Sequence, residues 1–533
     1  MFKSAGFCVL LALALVFFSC APEGDSNKKK GEIHSKDQVI GTLALPFGKA
    51  IDGAPEGEKL LVKYCQGCHI LPKISAYSKQ DWEKIILPNK GAILGMHHAG
   101  LPYDSLVDNG LRREAHLAIE KAKVYANSAR MSKKDWKTLN NYILSLSPNE
   151  IAPNEQVIES HLFESSSFSI TQNPALTTIL QSTKSGFWYG DLRSDSLINY
   201  DFHGKMLSNL KLREPVNFMV EKNDKIWLSF PGDYFASDNP NGKIGYIKLD
   251  SLGMPTGEPI VWKEELHRPA ALIIEDLNND GQDDIILAQN GKQVGLLTVF
   301  WATENGYKTE MLANESGFEQ LKWIDLDGDK EFELIALQTG RNNAIQMFAC
   351  EDGVWSRHLI KAFQPHQQLS HIEVEDMNGD GLLDLVVAFG NRTRYGRMNK
   401  AENGLQILFA KGNGNYEPSE ILEQKGVTDF VIADFDNDGD KDLVSMAYYA
   451  PFASMQNTLI YWQNNGNQFS GNLISTLLPY RYKAITRADV DADGDLDILL
   501  GGFVFGPESP EDETLVKWRN ETPSITILKN AVP

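Results

Sequence analysis

The period of the apolar positions changes twice along this chain. An unbroken apolar run at 7–18 follows Lys3 and ends at Ser19-Cys20. It is too short to span a bilayer comfortably and reads as an export signal over 1–20. Residues 21–50 are rich in Lys, Gly, Glu, Ser and Asp without a sustained apolar period, which predicts a flexible tether. From about 51 to 150 the spacing is helical, with helices expected over 58–64 and 132–146. In the second, Trp136, Leu139, Ile143 and Leu146 fall on one face. Ser132 is its expected N-cap with Asp135 three residues on, and Pro148 and Pro153 close the segment. From about 165 to 533 the pattern becomes short Val/Ile/Leu/aromatic strands separated by Asp/Asn/Gly turns.

That last region carries an internal repeat. Five nine-residue acidic loops begin at Asp276, Asp325, Asp376, Asp434 and Asp489, with starts 49, 51, 58 and 55 residues apart. Strands flank each loop, and a further strand then enters a Gly/Asn turn. Four strands per period of about fifty residues predict the blades of a β-propeller. Two degenerate units, at 186–200 and 225–230, add to the five regular ones and predict seven blades. The expected fold is therefore multidomain: a small all-α domain over 51–150, then an all-β propeller over 165–533.

The loops place oxygen donors at alternate positions. The first offers Asp276, Asn278, Asp280, the carbonyl of Gln282 and Asp284; the second offers Asp325, Asp327, Asp329, Glu331 and Glu333. The third offers Asp376, Asn378, Asp380, the carbonyl of Leu382 and Asp384. The fourth offers Asp434, Asp436, Asp438, Asp440 and Asp442, and the fifth Asp489, Asp491, Asp493, Asp495 and Asp497. Hard oxygen ligands at this spacing suit calcium, giving four to five ions. Glycine at position 6 (Gly281, Gly381, Gly439, Gly494) permits a positive φ there. The second loop has Lys330 at that position and is the least regular. Flanking strands, and Leu287 at position 12 of the first loop, distinguish the loops from EF-hands.

Through these loops and the Asp-Leu/Ile strands that follow them, 165–533 resembles the FG-GAP/VCBS repeats of integrin-type propellers. Phe389-Gly390 and Phe505-Gly506-Pro507 match the Phe-Gly element itself. The resemblance implies a binding or scaffolding domain and does not imply catalysis.

Within the helical segment stands Cys65-Gln66-Gly67-Cys68-His69, the C-x-x-C-H pattern of a covalent haem. Cys65 and Cys68 would form thioethers to the vinyl groups, and His69 would be the proximal iron ligand. The segment resembles class I cytochromes c: Gly57 and Tyr64 before the motif, and Trp136 and Tyr142 in the last helix, match the crossing helices of that family. A methionine opposite the histidine would suit electron transfer. Met96 is the first choice, while Lys90, His97, His98 and Met131 stay open.

The small residue before Cys20 fits a bacterial lipoprotein signal, so Cys20 is the expected lipidation site and the cell envelope the expected location. Cys8 leaves with the signal and Cys350 is expected in the core, so no disulfide pair remains. The formal charge of −20 argues against nucleic-acid binding, and five divalent ions would halve it. Long connections with Arg392, Arg394, Tyr395, Tyr449 and Phe452, opposite His267-Arg268, His366 and Tyr480-Arg481-Tyr482, would gather on one propeller face. That face could dock an anionic ligand or partner; the alternative is a set of ordinary solvated loops. The expected function is electron transfer by an exported monohaem cytochrome, with a redox partner protein or small-molecule substrate held at the propeller face. A haem-linked dehydrogenase and a calcium-dependent adhesion lipoprotein are the alternatives.

Overall fold

A computed structural model of the protein describes residues 53–66, 70–96, 126, 128–151, 158–160, 162–170, 174–194, 196–251, 253–340, 342–351, 353–390, 402–450, 457–466, 468–474, 480–505 and 512–532. They all belong to one compact unit, 39–533.

Seven sheets, each with a core of four antiparallel strands, succeed one another along the chain as the blades of a propeller, and in blade 5 the short Leu422–Glu423 also pairs with the third strand. Blades 1 to 4 begin at Thr177, Phe218, Pro269 and Phe318, and blades 5 to 7 at Gln368, Asp429 and Tyr482. The two degenerate sequence units are blades 1 and 2. Second strands are packed on both faces, so they read as continuous apolar runs: every residue of Asp284–Asn290, Asp384–Gly390 and Asp497–Gly502 is buried. Outermost strands meet water and turn polar, as in Met206–Lys211, where only half-buried and exposed positions occur.

The ring closes with a strand from the other end of the chain. Phe163–Phe168 pairs antiparallel with Ile525–Asn530, from Phe163 opposite Asn530 to Phe168 opposite Ile525. Blade 7 thus takes three strands from the C-terminal region and its outermost one from before blade 1. Ile158–Ser160 adds a parallel fifth strand to blade 6.

The helical segment has two principal helices, α1 (Glu56–Cys65) and α2 (Lys133–Leu146). Ser132 caps α2 as expected, its Oγ accepting the Asp135 N–H at 3.0 Å. Leu60 and Leu61 pack with Leu139 and Ile143 in one buried cluster. The buried face stops at Ile143, so Leu146, expected on it, is 51% exposed. Between these helices, Lys79–Asp81, Trp82–Ile86 and Leu87–Ile93 form consecutive helical stretches, the middle one wound as a π-helix. Trp82 is buried beneath them and donates its indole N–H to the Ile74 carbonyl at 2.9 Å.

The segment meets the propeller at blade 5. Lys73 forms an ion pair with Glu402, and the Tyr77 ring stands edge-on to His366 with centroids 6.0 Å apart. His366 belongs to the connection entering blade 5, and Glu402 to the connection between its second and third strands. Both emerge on the same face of a propeller.

Candidate metal and cofactor sites

All five acidic loops join the first and second strands of their blades, 3 to 7. One hydrogen-bond pattern recurs. In the first loop the position-1 carboxylate, Asp276, accepts the N–H groups of Asp280 at 3.0 Å and Gly281 at 2.8 Å. Asn278 Oδ1 accepts the Asp280 N–H, and Asp280 Oδ1 accepts the Gln282 N–H. The third and fourth loops repeat this with Asp376 and Asp434 at position 1. Side chains at 1, 3 and 5 are thereby turned inward by the backbone.

Glycines at position 6 have the expected left-handed backbone, with φ of 86° at Gly281 and 102° at Gly494. Lys330 adopts it too, at φ 77°, where a side chain is strained. Position 4 is also left-handed in every loop (Asn279, Gly328, Gly379, Asn437, Ala492), which the sequence reading missed. Asn or Gly in all four of the first copies was the available signal.

Position 9 has a second role. In the first loop Asp284 Oδ2 accepts the Leu277 N–H at 3.1 Å, while Oδ1 accepts the Ala302 N–H at 2.6 Å. Asp384, Asp442 and Asp497 likewise tie their own loop to the third strand, through Ala410, Asn464 and Asn530. Glu333 accepts the Leu326 N–H at 3.0 Å, and no tie to the third strand is seen among the described residues. The carboxylate thus fastens the loop to its blade and can still present lone pairs to a cation.

The donor set fits a hard divalent ion. Ligand oxygens of Asp325, Asp327 and Asp329 lie within 4.8 Å of one another, as do those of Asp434, Asp436 and Asp442, and of Asp489, Asp491 and Asp493. The electrostatics agree: burial, then Asp436, pushes Asp442 up to about 6. Burial with crowding by Asp493 and Asp497 pushes Asp495 to about 6. Asp284, Asp384, Asp497 and Glu333 are also raised, with burial the leading cause. In the fifth loop Lys529 sits 2.9 Å from Asp491 and partly supplies the missing positive charge.

At the helical crossing, α1 passes so close to α2 that a Cβ on Gly57 would stand 2.2 Å from Tyr142 Cβ. Cys65 is the last residue of α1 and is buried in the cluster that also contains Met131, with Tyr64, Met96 and Trp136 packed against it. Met96 follows a tight helix end: Gly95 is left-handed at φ 69°, and the Met96 N–H reaches the Gly91 carbonyl at 2.8 Å. Cys65 and Met96 therefore border one apolar cluster. Cys68, His69, His97, His98 and the lipidation candidate Cys20 lie outside the described residues, as do Arg392, Arg394, Tyr395 and Phe452.

Several expected surface residues are interior. Tyr480, Arg481 and Tyr482 are buried, with the Arg481 guanidinium 5.5 Å from the Trp518 ring and 6.0 Å from that of Tyr448. Helix α3 (Asp512–Glu521), inserted before the third strand of blade 7, supplies Trp518 as their cover. His366 is fully buried as well, and Cys350, expected in the core, is only half-buried on the third strand of blade 4. Tyr449 instead lines an axial cavity on this face.

First strands of blades 4, 5 and 6 carry a charge chain around the axis. His371 Nε2 lies 3.0 Å from Glu373 and Nδ1 lies 3.0 Å from Asp429, while Glu373 receives Lys322 at 2.8 Å. Burial alone would lower the imidazole, but Asp429 and Glu373 hold it at about 9. Glu373 is desolvated too, yet His371 and Lys322 hold it down at about 2.

A model of the FG-GAP-like repeat matches residues 370–445, from the first strand of blade 5 into the second strand of blade 6, with the third and fourth acidic loops inside it. No curated protein matches the chain. Among solved structures, virginiamycin B lyase from Staphylococcus aureus is 15% identical, with 69% of this chain and 99% of that one covered and a TM-score of 0.42. The N-terminal domain of Nup159 is 12% identical, covering 70% and 97%, at a TM-score of 0.38.

Proposed function

We propose that this protein is an exported, lipid-anchored monohaem cytochrome whose calcium-stabilised propeller holds a redox partner or substrate. The observation that carries the haem reading is Cys65 at the buried end of α1, in a C-x-x-C-H string, beside the close Gly57–Tyr142 crossing. Cys65 and Cys68 would hold the porphyrin and His69 the iron, with Met96 as the distal ligand. The haem would supply one-electron chemistry. The chain's own part is to keep that site apolar through Leu60, Leu61, Met131 and Leu139, which favours the less charged ferrous state. Donor chemistry and loop geometry support calcium at Asp276–Asp284 and its four counterparts. Cys20 would anchor the chain to the envelope membrane.

Expression with haem-maturation machinery tests the reading. A visible haem spectrum that survives denaturing electrophoresis is expected, and a colourless protein would overturn it. Met96→Ala should change the ligand-sensitive bands; unchanged spectra would reject Met96. A second reading, a haem-linked dehydrogenase, is favoured by the axial cavity opening on the face where Tyr77 meets His366. Substrate-dependent haem reduction by the purified protein would select it.

A further inference from the structure

At the axis, on the face formed by the connections between second and third strands and between successive blades, lies a cavity of about 570 Å³. Among the described residues, neither the acidic loops nor Cys65 and Met96 line it. It narrows into an inner chamber of about 240 Å³, and Tyr234, Arg268, Glu319, Ser370 and Lys483 line both, so these five form the neck. Two of the five are cations; the Arg268 guanidinium donates to the Asn290 carbonyl at 3.4 Å, and the Glu319 carboxylate accepts the Asn290 amide. Lys483 bonds the Tyr234 hydroxyl and lies 4.4 Å from the centre of that ring.

Arg268 is held on a left-handed backbone, φ 49°, a conformation that glycine would adopt without strain. Strain retained at the neck of a cavity points to a side chain that must be placed there. The outer chamber is different in kind. Its wall carries Phe235, 62% exposed, and Phe505, 37% exposed, beside Tyr448 and Tyr449. Uncharged donors and acceptors (Thr339, Gln368, Thr428) lie beside one further cation, Lys292, and one carboxylate, Asp429, which is paired with His371 at 3.0 Å. Aromatic rings with a few convergent polar groups and a volume of this size characterise a small-molecule site.

We propose that this cavity binds a sugar acid, either free or at the end of an oligosaccharide, with its carboxylate on Arg268 and Lys483 and its ring in the aromatic outer chamber. The guanidinium fork suits a carboxylate and can bind it through two hydrogen bonds. Ring hydroxyls match the hydroxyl and amide groups of the wall, while the apolar face of the ring lies against aromatics. A neutral sugar forgoes the charge-assisted bonds at the neck. The Thr339 and Thr428 hydroxyls donate to Asn343 and to the Met446 carbonyl and keep lone pairs for ring hydroxyls, which an aromatic acid would leave desolvated and unused. The proposal does not depend on the haem reading, because every quantity below is measured without reference to the haem band.

Titration calorimetry on the full protein tests it with D-glucuronate, D-galacturonate, D-mannuronate, glucose and benzoate. At least one sugar acid should bind about tenfold or more tighter than glucose and benzoate. Arg268→Gln should weaken that binding by about tenfold or more, since it removes a charge-assisted pair. Phe505→Ala should weaken it without changing the melting temperature. Should Arg268→Gln fail to fold, Lys483→Met and Phe505→Ala carry the same expectation. A digalacturonide that binds tighter than galacturonate would place the site at a polymer end, and equal binding would favour the free acid; both support the sugar-acid class. Failure of all three acids to bind, glucose binding as well as they do, benzoate binding better, or folded variants that bind like wild type would each overturn the proposal.

Discussion

A few single positions carry unusual strain or charge. Lys330 and Ala492 occupy left-handed positions that their sibling loops largely give to Gly or Asn. A non-glycine residue there costs about 1–2 kcal/mol, and glycine returns part of that as unfolded-state entropy. Lys330→Gly and Ala492→Gly should each raise stability by about 0.5–1 kcal/mol, read from urea melts. Gly57→Ala works the other way, because its new methyl would overlap Tyr142; a loss of about 1–3 kcal/mol and poorer haem incorporation are expected. His371 gives a pH signature. Its folded value, about 9, lies above the ordinary 6.5, so its stabilisation is complete below pH 6.5 and is lost as pH rises through 9. His371→Gln should cost about 3 kcal/mol at pH 6 and flatten stability between pH 6.5 and 9, as checked by melts at both ends.

Elements differ in how much of their chemistry is local. An acidic loop gathers its oxygen donors within nine residues, so Asp434 to Asp442 could be read directly as a candidate site. The blades followed from those loops and from buried runs such as Ile285 to Ala288. Position 9 hid its second task because its partner, for example Asn530 for Asp497, is remote in sequence. The axial cavity was illegible for the same reason: Arg268 and Lys483 arrive from different blades. Metal removal tests the loops as elements. A chelator should lower the melting temperature, with about 3 kcal/mol lost per site when calcium had been at a hundredfold excess over Kd. Protons compete for the same oxygens. In metal-free protein, the raised values of Asp442 and Asp495 make their contribution to stability largest at low pH and lost as pH rises through about 6. Calcium should therefore stabilise strongly at pH 7 and weakly at pH 5, as seen by paired melts with and without the ion.

For the whole molecule, the decisive element is one the sequence scarcely marks. Phe163–Phe168 has four polar residues between two phenylalanines and no acidic loop beside it, yet it completes blade 7. Its partner strand belongs to the other end of the chain, so no local window shows the pairing. Deleting residues 163–168 should leave Ile525–Asn530 as an open edge. Aggregation and a lower melting temperature, measured by light scattering and calorimetry, are expected relative to a chain starting at 162. The same closure also orders the protein's biogenesis. During synthesis, Phe163–Phe168 emerges before the strands of blades 1 to 7 that follow it, and its partner Ile525–Asn530 emerges after all of them. Until then the chain is an open arc with two unsatisfied strand edges, exposed to neighbouring chains. The final step joins sites at great sequence separation, which makes it the slow one. Folding should thus be vulnerable late: a chain cut within Ile525–Asn530 would carry every other blade strand and still be unable to form a ring.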